Sequence, residues 1–149
     1  MNVLFVCAGN TCRSPMAEAM FNEEAGRRGR AHRAKSAGLC PWPGDVAATD
    51  TVAELRRRGM DIEGRPAVQL DQGLVQEADL ILAMTDTMAD MMRQSLPDEA
   101  GKVQALCAYC GQDGEVSDPY GCDEDVYRET ADQIQGLVSK VLDRLDREG

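Results

Sequence analysis

The unbroken apolar run Asn2-Val3-Leu4-Phe5-Val6 stops abruptly at Cys7-Ala8-Gly9-Asn10-Thr11-Cys12-Arg13, and Ser14-Pro15 follows at once. A strand apolar at every position, with no alternation, is covered on both faces, as in the middle of a parallel sheet. Serine followed by proline is a strong helix start, so the first thirty residues read as strand, loop and helix, the helix running to about Gly29. The pattern then repeats. Strands are expected at 32–37, 79–84 and 103–106, and helices at 46–58 (closed by Gly59), 72–78, 86–96 (ended by Pro97) and 125–147, with a polar loop over 111–123. Strands alternating with helices imply an α/β fold with a doubly wound, four-stranded parallel sheet and helices on both faces. In such sheets the functional site lies beyond the carboxyl ends of the strands, where the 7–13 loop falls.

The chain has 149 residues, 43% apolar and 28% charged, which suits one globular domain over 1–149. No repeat, linker or apolar stretch near the ~20 residues of a membrane helix occurs. Residues 1–6 read as a buried strand and no basic region precedes an apolar run, so no signal peptide is expected and a cytoplasmic location is. A net charge of −10 argues against nucleic acid as a partner. It is compatible with a cationic protein partner, and equally with solubility alone. Six cysteines in a cytoplasmic chain read as thiols, catalytic groups or metal ligands before disulfides.

Phosphoryl transfer to a thiol needs a sulfur anion, donors for three phosphoryl oxygens and a proton for the leaving group. Cys7, ending a strand just before a helix N-terminus, meets the first need, because terminal amides and the helix dipole favour the anion. The same amides suit phosphate oxygens. Arg13 brings a planar fork that grips two oxygens, as a lysine does not. Gly9 permits close backbone approach, Asn10 tolerates a left-handed conformation, and Ser14 is placed to donate to the Cys7 sulfur. A buried Cys7 packing as a small hydrophobe, with Arg13 a solvated charge, is the blander alternative.

The run Val6 to Glu18 resembles the signature of the low-molecular-weight protein tyrosine phosphatases. Ser36-Ala37-Gly38, Ala78-Asp79-Leu80-Ile81-Leu82-Ala83-Met84 and Asp118-Pro119-Tyr120-Gly121 follow in that family's order. The resemblance implies a flavodoxin-like fold and hydrolysis without metal or other cofactor through a cysteinyl-phosphate. It makes Cys7 the nucleophile and Arg13 the phosphate clamp, with Ala8, Gly9, Asn10, Thr11, Cys12, Ser14 and Ser36 forming and supporting the phosphate loop. It also makes Asp118 the acid that protonates the leaving group and then the base that activates water; without it, Asp118-Pro119 reads as a turn start. The single histidine, His32, reads as a strand-edge residue rather than the acid. Phosphorylated proteins are the implied substrates, and a monomer or weak homodimer is expected.

Thr11 stands where tyrosine-directed members carry a bulky aliphatic residue, and so resembles the bacterial protein-arginine phosphatases. Gly121 after Tyr120, where a second aromatic is usual, leans the same way. Trp42 leans towards tyrosine: with Tyr120 it forms candidate pocket walls, though both faces also stack on guanidinium and an indole between two prolines can instead cover the core edge. Phosphoarginine is slightly favoured over phosphotyrosine. Cys12 reads either as a redox partner of Cys7, by resemblance, or as a buried residue behind the loop. Cys107 and Cys110 have metal or redox spacing, but with Cys122 nearby they also read as unrelated thiols. Met84, Met88, Met91 and Met92 read as core packing. Two rivals stay open: an arsenate reductase on the same fold, which needs shuttle cysteines after the third strand that 84–96 lacks, and a non-catalytic phosphopeptide-binding module.

Overall fold

A computed structural model describes residues 1–148; the last position of the expected 1–149 domain, Gly149, lies outside the described residues. The chain runs β1 (Asn2–Cys7), α1 (Arg13–Arg27), β2 (Arg33–Gly38), α2 (Thr49–Arg57), α3 (Gln72–Glu77), β3 (Leu80–Ala83), α4 (Asp86–Ser95), β4 (Val103–Ala105), α5 (Leu106–Tyr109) and α6 (Glu124–Glu148). All four strands pair in parallel in the order β2-β1-β3-β4. This is the doubly wound α/β architecture expected.

Why β1 is apolar throughout is visible in its packing. Val3, Phe5 and Cys7 join one core with Met16, Met20 and Phe21 of α1 and with Ile134, Val138 and Val141 of α6. Leu4 and Val6 face the other layer, with Val75 of α3 and Ala89 and Met92 of α4. Phe5 and Phe21 meet edge to face, ring centroids 5.8 Å apart. The chain leaves β1 towards β2 on one side and reaches β3 on the other. Cys7 therefore ends the strand at which the winding reverses, where a crevice forms in sheets of this kind.

Element ends differ from expectation where tertiary contacts override local pattern. Residues 46–48 are not helical. Val46 forms an antiparallel bridge with Pro66, the Ala47 amide donates to the Arg65 carbonyl at 2.8 Å, and Ala48 is extended, so α2 starts at Thr49. The strand expected over 103–106 ends at Ala105, and 106–109 turn into α5. A 3-10 helix over Pro97–Lys102 links α4 to β4. Of the methionines, Met84 and Met92 are buried but Met91 is 53% exposed, because α4 covers the sheet with one face only.

Candidate active site

The loop between β1 and α1 closes around the Cys7 sulfur. Asn10 has φ 57°, a left-handed conformation found at no other non-glycine position among the described residues. Asparagine adopts it at low cost, and it turns the Asn10 amide so that it donates to Cys7 Sγ at 3.3 Å. Ser14 Oγ lies 2.8 Å from the same sulfur. Ser14 is therefore not the helix cap expected: α1 begins at Arg13, Cys12 flanks it, and no side chain caps it. Its first amides are left to the loop, where an anion is their natural partner.

Cys7 is only 2% exposed, yet it lines the floor of an open cleft together with residues 8–13. The sulfur is sheltered from bulk water and faces the space an oxyanion would fill. Arg13 is buried beside it; its Nη1 donates to the Val116 carbonyl at 2.9 Å, and its Nη2 is 3.8 Å from Asp118 Oδ2. Asp118, 52% exposed at its side chain, is held by a bond from the Tyr120 amide to its Oδ1 at 3.0 Å. Val116 is itself anchored, its amide donating to the Met84 carbonyl at the end of β3. One chain of contacts thus fixes the arginine and the acid relative to the sheet.

From the 40–50 segment the cleft receives Cys40, Trp42, Asp45 and Asp50, and from the 118–121 loop Asp118 and Tyr120. Trp42 is 78% exposed and Tyr120 71%, so Trp42 does not cover the core edge. Thr11 lines the cleft as well. Among the described residues lining it Arg13 is the one cation, against the carboxylates of Asp45, Asp50 and Asp118. Cys12 is buried, 3.5 Å from the Tyr127 hydroxyl, and burial, with the Cys12 contact, pushes that phenol well above its ordinary range.

Behind the loop, Asn10, Ser14 and Ser36 are all buried and bonded to one another: Asn10 Nδ2 donates to Ser14 Oγ at 2.7 Å and to Ser36 Oγ at 3.0 Å. Gly38, at the end of β2, has a second role. A Cβ there would stand 2.8 Å from the Ala8 carbonyl oxygen and 3.1 Å from both Cβ and N of Asn10. Those are atoms of the 7–13 loop backbone and of a buried side chain, with little freedom to yield. Gly38→Ala is expected to lower kcat by about 100-fold, as displacements of this size commonly do, and stability by about 1–3 kcal/mol. Steady-state rates and a melting curve check both.

His32 lies ahead of β2, at the opposite end of the sheet from the loop, with Nε2 3.5 Å from Asp146. Cys107 is buried in α5 and Cys110 bonds the Leu137 carbonyl at 3.4 Å. Burial pushes the Cys110 thiol up to about 11 and raises Cys107 too. Burial thus disfavours the thiolate form that shuttle or ligand chemistry uses, and among the described residues no three His, Cys, Asp or Glu side chains gather as a metal site. Cys122 is exposed. Two residues join the site that the sequence pattern does not mark: Cys40 on the cleft wall, and Arg65, whose Nη1 donates to Asn10 Oδ1 at 3.0 Å. Cys40 follows β2 within two residues, so its place at the carboxyl edge was readable; Arg65 sits in irregular chain, and no local signal marks it.

A sheltered cysteine held by a loop amide and a serine hydroxyl at the switch point of a parallel sheet, with a buried arginine in the same loop, suits a cysteine-dependent phosphatase, and the chain belongs to the low molecular weight phosphotyrosine protein phosphatase family, whose pattern matches residues 2–149. It is thus a protein phosphatase by family. It is 34% identical over 149 residues to a protein-arginine-phosphatase of Bacillus subtilis, covering 99% of each chain. It is 36% identical over 160 residues to low molecular weight protein-tyrosine phosphatase A of Mycobacterium tuberculosis, covering 100% of this chain and 96% of that one. Among solved structures it superposes with TM-score 0.93 and 34% identity on the YwlE arginine phosphatase, a Cys-to-Ser mutant with a phosphorylated active-site serine, covering 98% and 96% of the two chains. Among the described residues no helix is long and apolar enough to cross a membrane.

Proposed function

We propose that the protein hydrolyses phosphorylated side chains of proteins through a cysteinyl-phosphate on Cys7, and that phosphoarginine is preferred to phosphotyrosine. The observation carrying the first part is the sulfur itself, within 3.3 Å of the Asn10 amide and 2.8 Å of the Ser14 hydroxyl at the floor of the cleft.

The Cys7 thiolate attacks phosphorus, an S–P bond forms, and the bond from phosphorus to the substrate nitrogen or oxygen breaks. Protonated Asp118 gives its proton to that leaving atom. Asp118, now a carboxylate, takes a proton from water, whose oxygen attacks the phosphocysteine; inorganic phosphate leaves and the thiolate returns, stabilised by the Ser14 hydroxyl. Throughout, the Arg13 fork and the loop amides hold the equatorial oxygens, where charge accumulates. Anchorage of Nη1 on Val116 leaves the remaining edge of the guanidinium for them.

Two features support phosphoarginine. Thr11 puts a small hydroxyl-bearing side chain on the cleft wall, which leaves room for a polar group. Asp45 and Asp50 set carboxylates around it, which suit a guanidinium and give a neutral phenyl ring nothing. Trp42 and Tyr120 do not discriminate, since their faces stack on a phenyl ring as well as on a guanidinium. Sequence similarity does not decide, since relatives of both specificities stand at about one third identity. Turnover of a phosphoarginine peptide against a phosphotyrosine peptide of the same sequence tests the choice. Wild type is expected to favour phosphoarginine in kcat/KM. Thr11→Ile is expected to shift the ratio at least about 10-fold towards phosphotyrosine, the scale of one or two buried methylenes; an unmoved ratio removes Thr11 from the account.

A further inference from the structure

We infer that the protein selects its substrates by the charge around the phosphorylated residue: the rim carboxylates of Asp45 and Asp50 dock a protein segment that carries lysine or arginine beside that residue. This deepens the reading of the cleft as a protein-phosphatase site and rests on it.

The acidic excess of the chain is not spread over its surface. Two segments shape the open side of the cleft, 39–50 after β2 and 111–125 leading into α6. Together they hold eight of the 26 acidic residues and none of the 16 Lys and Arg. The other 18 acidic residues nearly balance those 16, so the net charge of −10 comes almost wholly from these two segments. All eight residues are exposed. Asp118, Glu124 and Asp125 are paired with Arg13, Arg57 and Arg128; among the described residues the other five, Asp45 and Asp50 included, have no cation within 4.0 Å. Solubility asks only for net charge, not for its concentration where a substrate must approach. Asp50 also suits the first turn of α2, but no helix end accounts for Asp45.

A phosphoryl group brings roughly 1.5 to 2 negative charges, and Arg13 is the one cation among the described residues lining the cleft. An acidic rim therefore repels the very group the floor must bind, unless the substrate brings cations of its own. Lysine or arginine next to the phosphorylated residue supplies them. Trp42, Val46 and Tyr120 are exposed on the same rim. They give the apolar stems of those side chains a surface to lie on, and aromatic faces attract the cation itself.

Backbone bonds hold the rim charges in place. The Asp45 amide donates to the Trp42 carbonyl at 3.1 Å, and the Asp45 carbonyl accepts from the Ala67 amide at 2.8 Å. Val46 adds its bridge to Pro66. The Ala48 amide donates to the Thr11 carbonyl at 3.0 Å, which sets the start of α2, and Asp50 with it, against the loop that holds Cys7. The two carboxylates thus stand at fixed places beside the phosphate position.

Phosphopeptide pairs that share the phosphorylated residue, with lysine neighbours in one member and glutamate in the other, isolate this effect from the choice of phosphorylated residue. A phosphoarginine pair and a phosphotyrosine pair are both measured. At about 20 mM salt, kcat/KM is expected to favour the lysine-flanked member at least about 10-fold, the scale of a few exposed charge pairs, mainly through KM. At about 0.5 M salt, where screening is strong, that ratio is expected to fall at least about threefold. Asp45→Asn/Asp50→Asn is expected to lower the low-salt ratio by at least about threefold as well. Equal kcat/KM for the two members at low salt overturns the inference, as does a preference that salt leaves unmoved or that the folded double variant retains in full. Should the double variant not fold, the wild-type ratios at the two salt concentrations decide alone. Failure of the hydrolysis reading shows separately, as turnover surviving Cys7→Ser. Equilibrium binding of the same pairs to Cys7→Ser reads the flank preference without turnover, with the same 10-fold difference expected in Kd and equal affinities overturning it.

Discussion

Cys7→Ser is expected to lower kcat by at least about 10⁴-fold, because an un-ionised hydroxyl replaces the one atom that bonds phosphorus and a lost nucleophile typically costs that much. The change is nearly isosteric at a buried position with two hydrogen bonds to the sulfur, so the fold and the phosphate-binding amides should survive. Substrate binding is therefore expected to remain, and a phosphopeptide should be captured without being turned over. Pairing rates with equilibrium binding checks this; a joint collapse of both would mean that the serine disrupts the loop and not only the chemistry.

Arg13→Lys is expected to be the next most damaging change, with kcat/KM falling by about 10³-fold. The loss has two sources. A lysine cannot hold the Val116 carbonyl with one arm while presenting a second donor pair to the phosphoryl oxygens, and it brings a point charge where the transition state needs a fork. The anchoring bond at 2.9 Å also ties the arginine to the segment carrying Asp118, so the acid loses a neighbour that orients it. Phosphotransfer rates for the variant, with vanadate or inorganic phosphate affinity beside them, separate transition-state from ground-state losses. A kcat within about 10-fold of wild type would remove the clamp role.

The elements that were readable from sequence share one property: their physics is local. Strand β1, the loop and α1 are contiguous, and each residue type there, apolar, Gly, Asn, Arg or Ser-Pro, has a conformational or chemical reason to stand where it does. The parallel sheet followed from alternation of strand and helix. What escaped is carried by contacts between distant segments. Gly38 matters because its backbone passes Ala8 and Asn10. Val116 contributes a carbonyl, which any residue possesses. Arg65 serves a loop fifty-five positions away. Ser14 meets the Cys7 sulfur as its place in the loop suggests, but it does not cap α1, since the sulfur and Asn10 engage its hydroxyl. Residues 46–48 fit a helical pattern, but Val46 and Ala47 pair with Pro66 and Arg65, and the Ala48 amide donates to the Thr11 carbonyl. Glu18 was part of the recognised run, four residues after Ser14 on α1, yet its purpose appears only with Arg65 and Ser36 in place.

The same distinction applies to substrate choice. The phosphate end of the site is built from backbone and from buried, mutually bonded side chains. The specificity end is exposed: Trp42, Tyr120 and the carboxylates of the rim. A rigid floor and an open rim suit a family in which one reaction serves different phosphorylated residues.

The covalent intermediate is the most direct object of measurement. Wild-type enzyme mixed with an excess of phosphorylated substrate and quenched in acid during turnover, then digested and fragmented in a mass spectrometer, should carry one added phosphoryl group on Cys7. Turnover with no covalent phosphate on the protein, or with the phosphoryl group on another residue, would contradict the assignment.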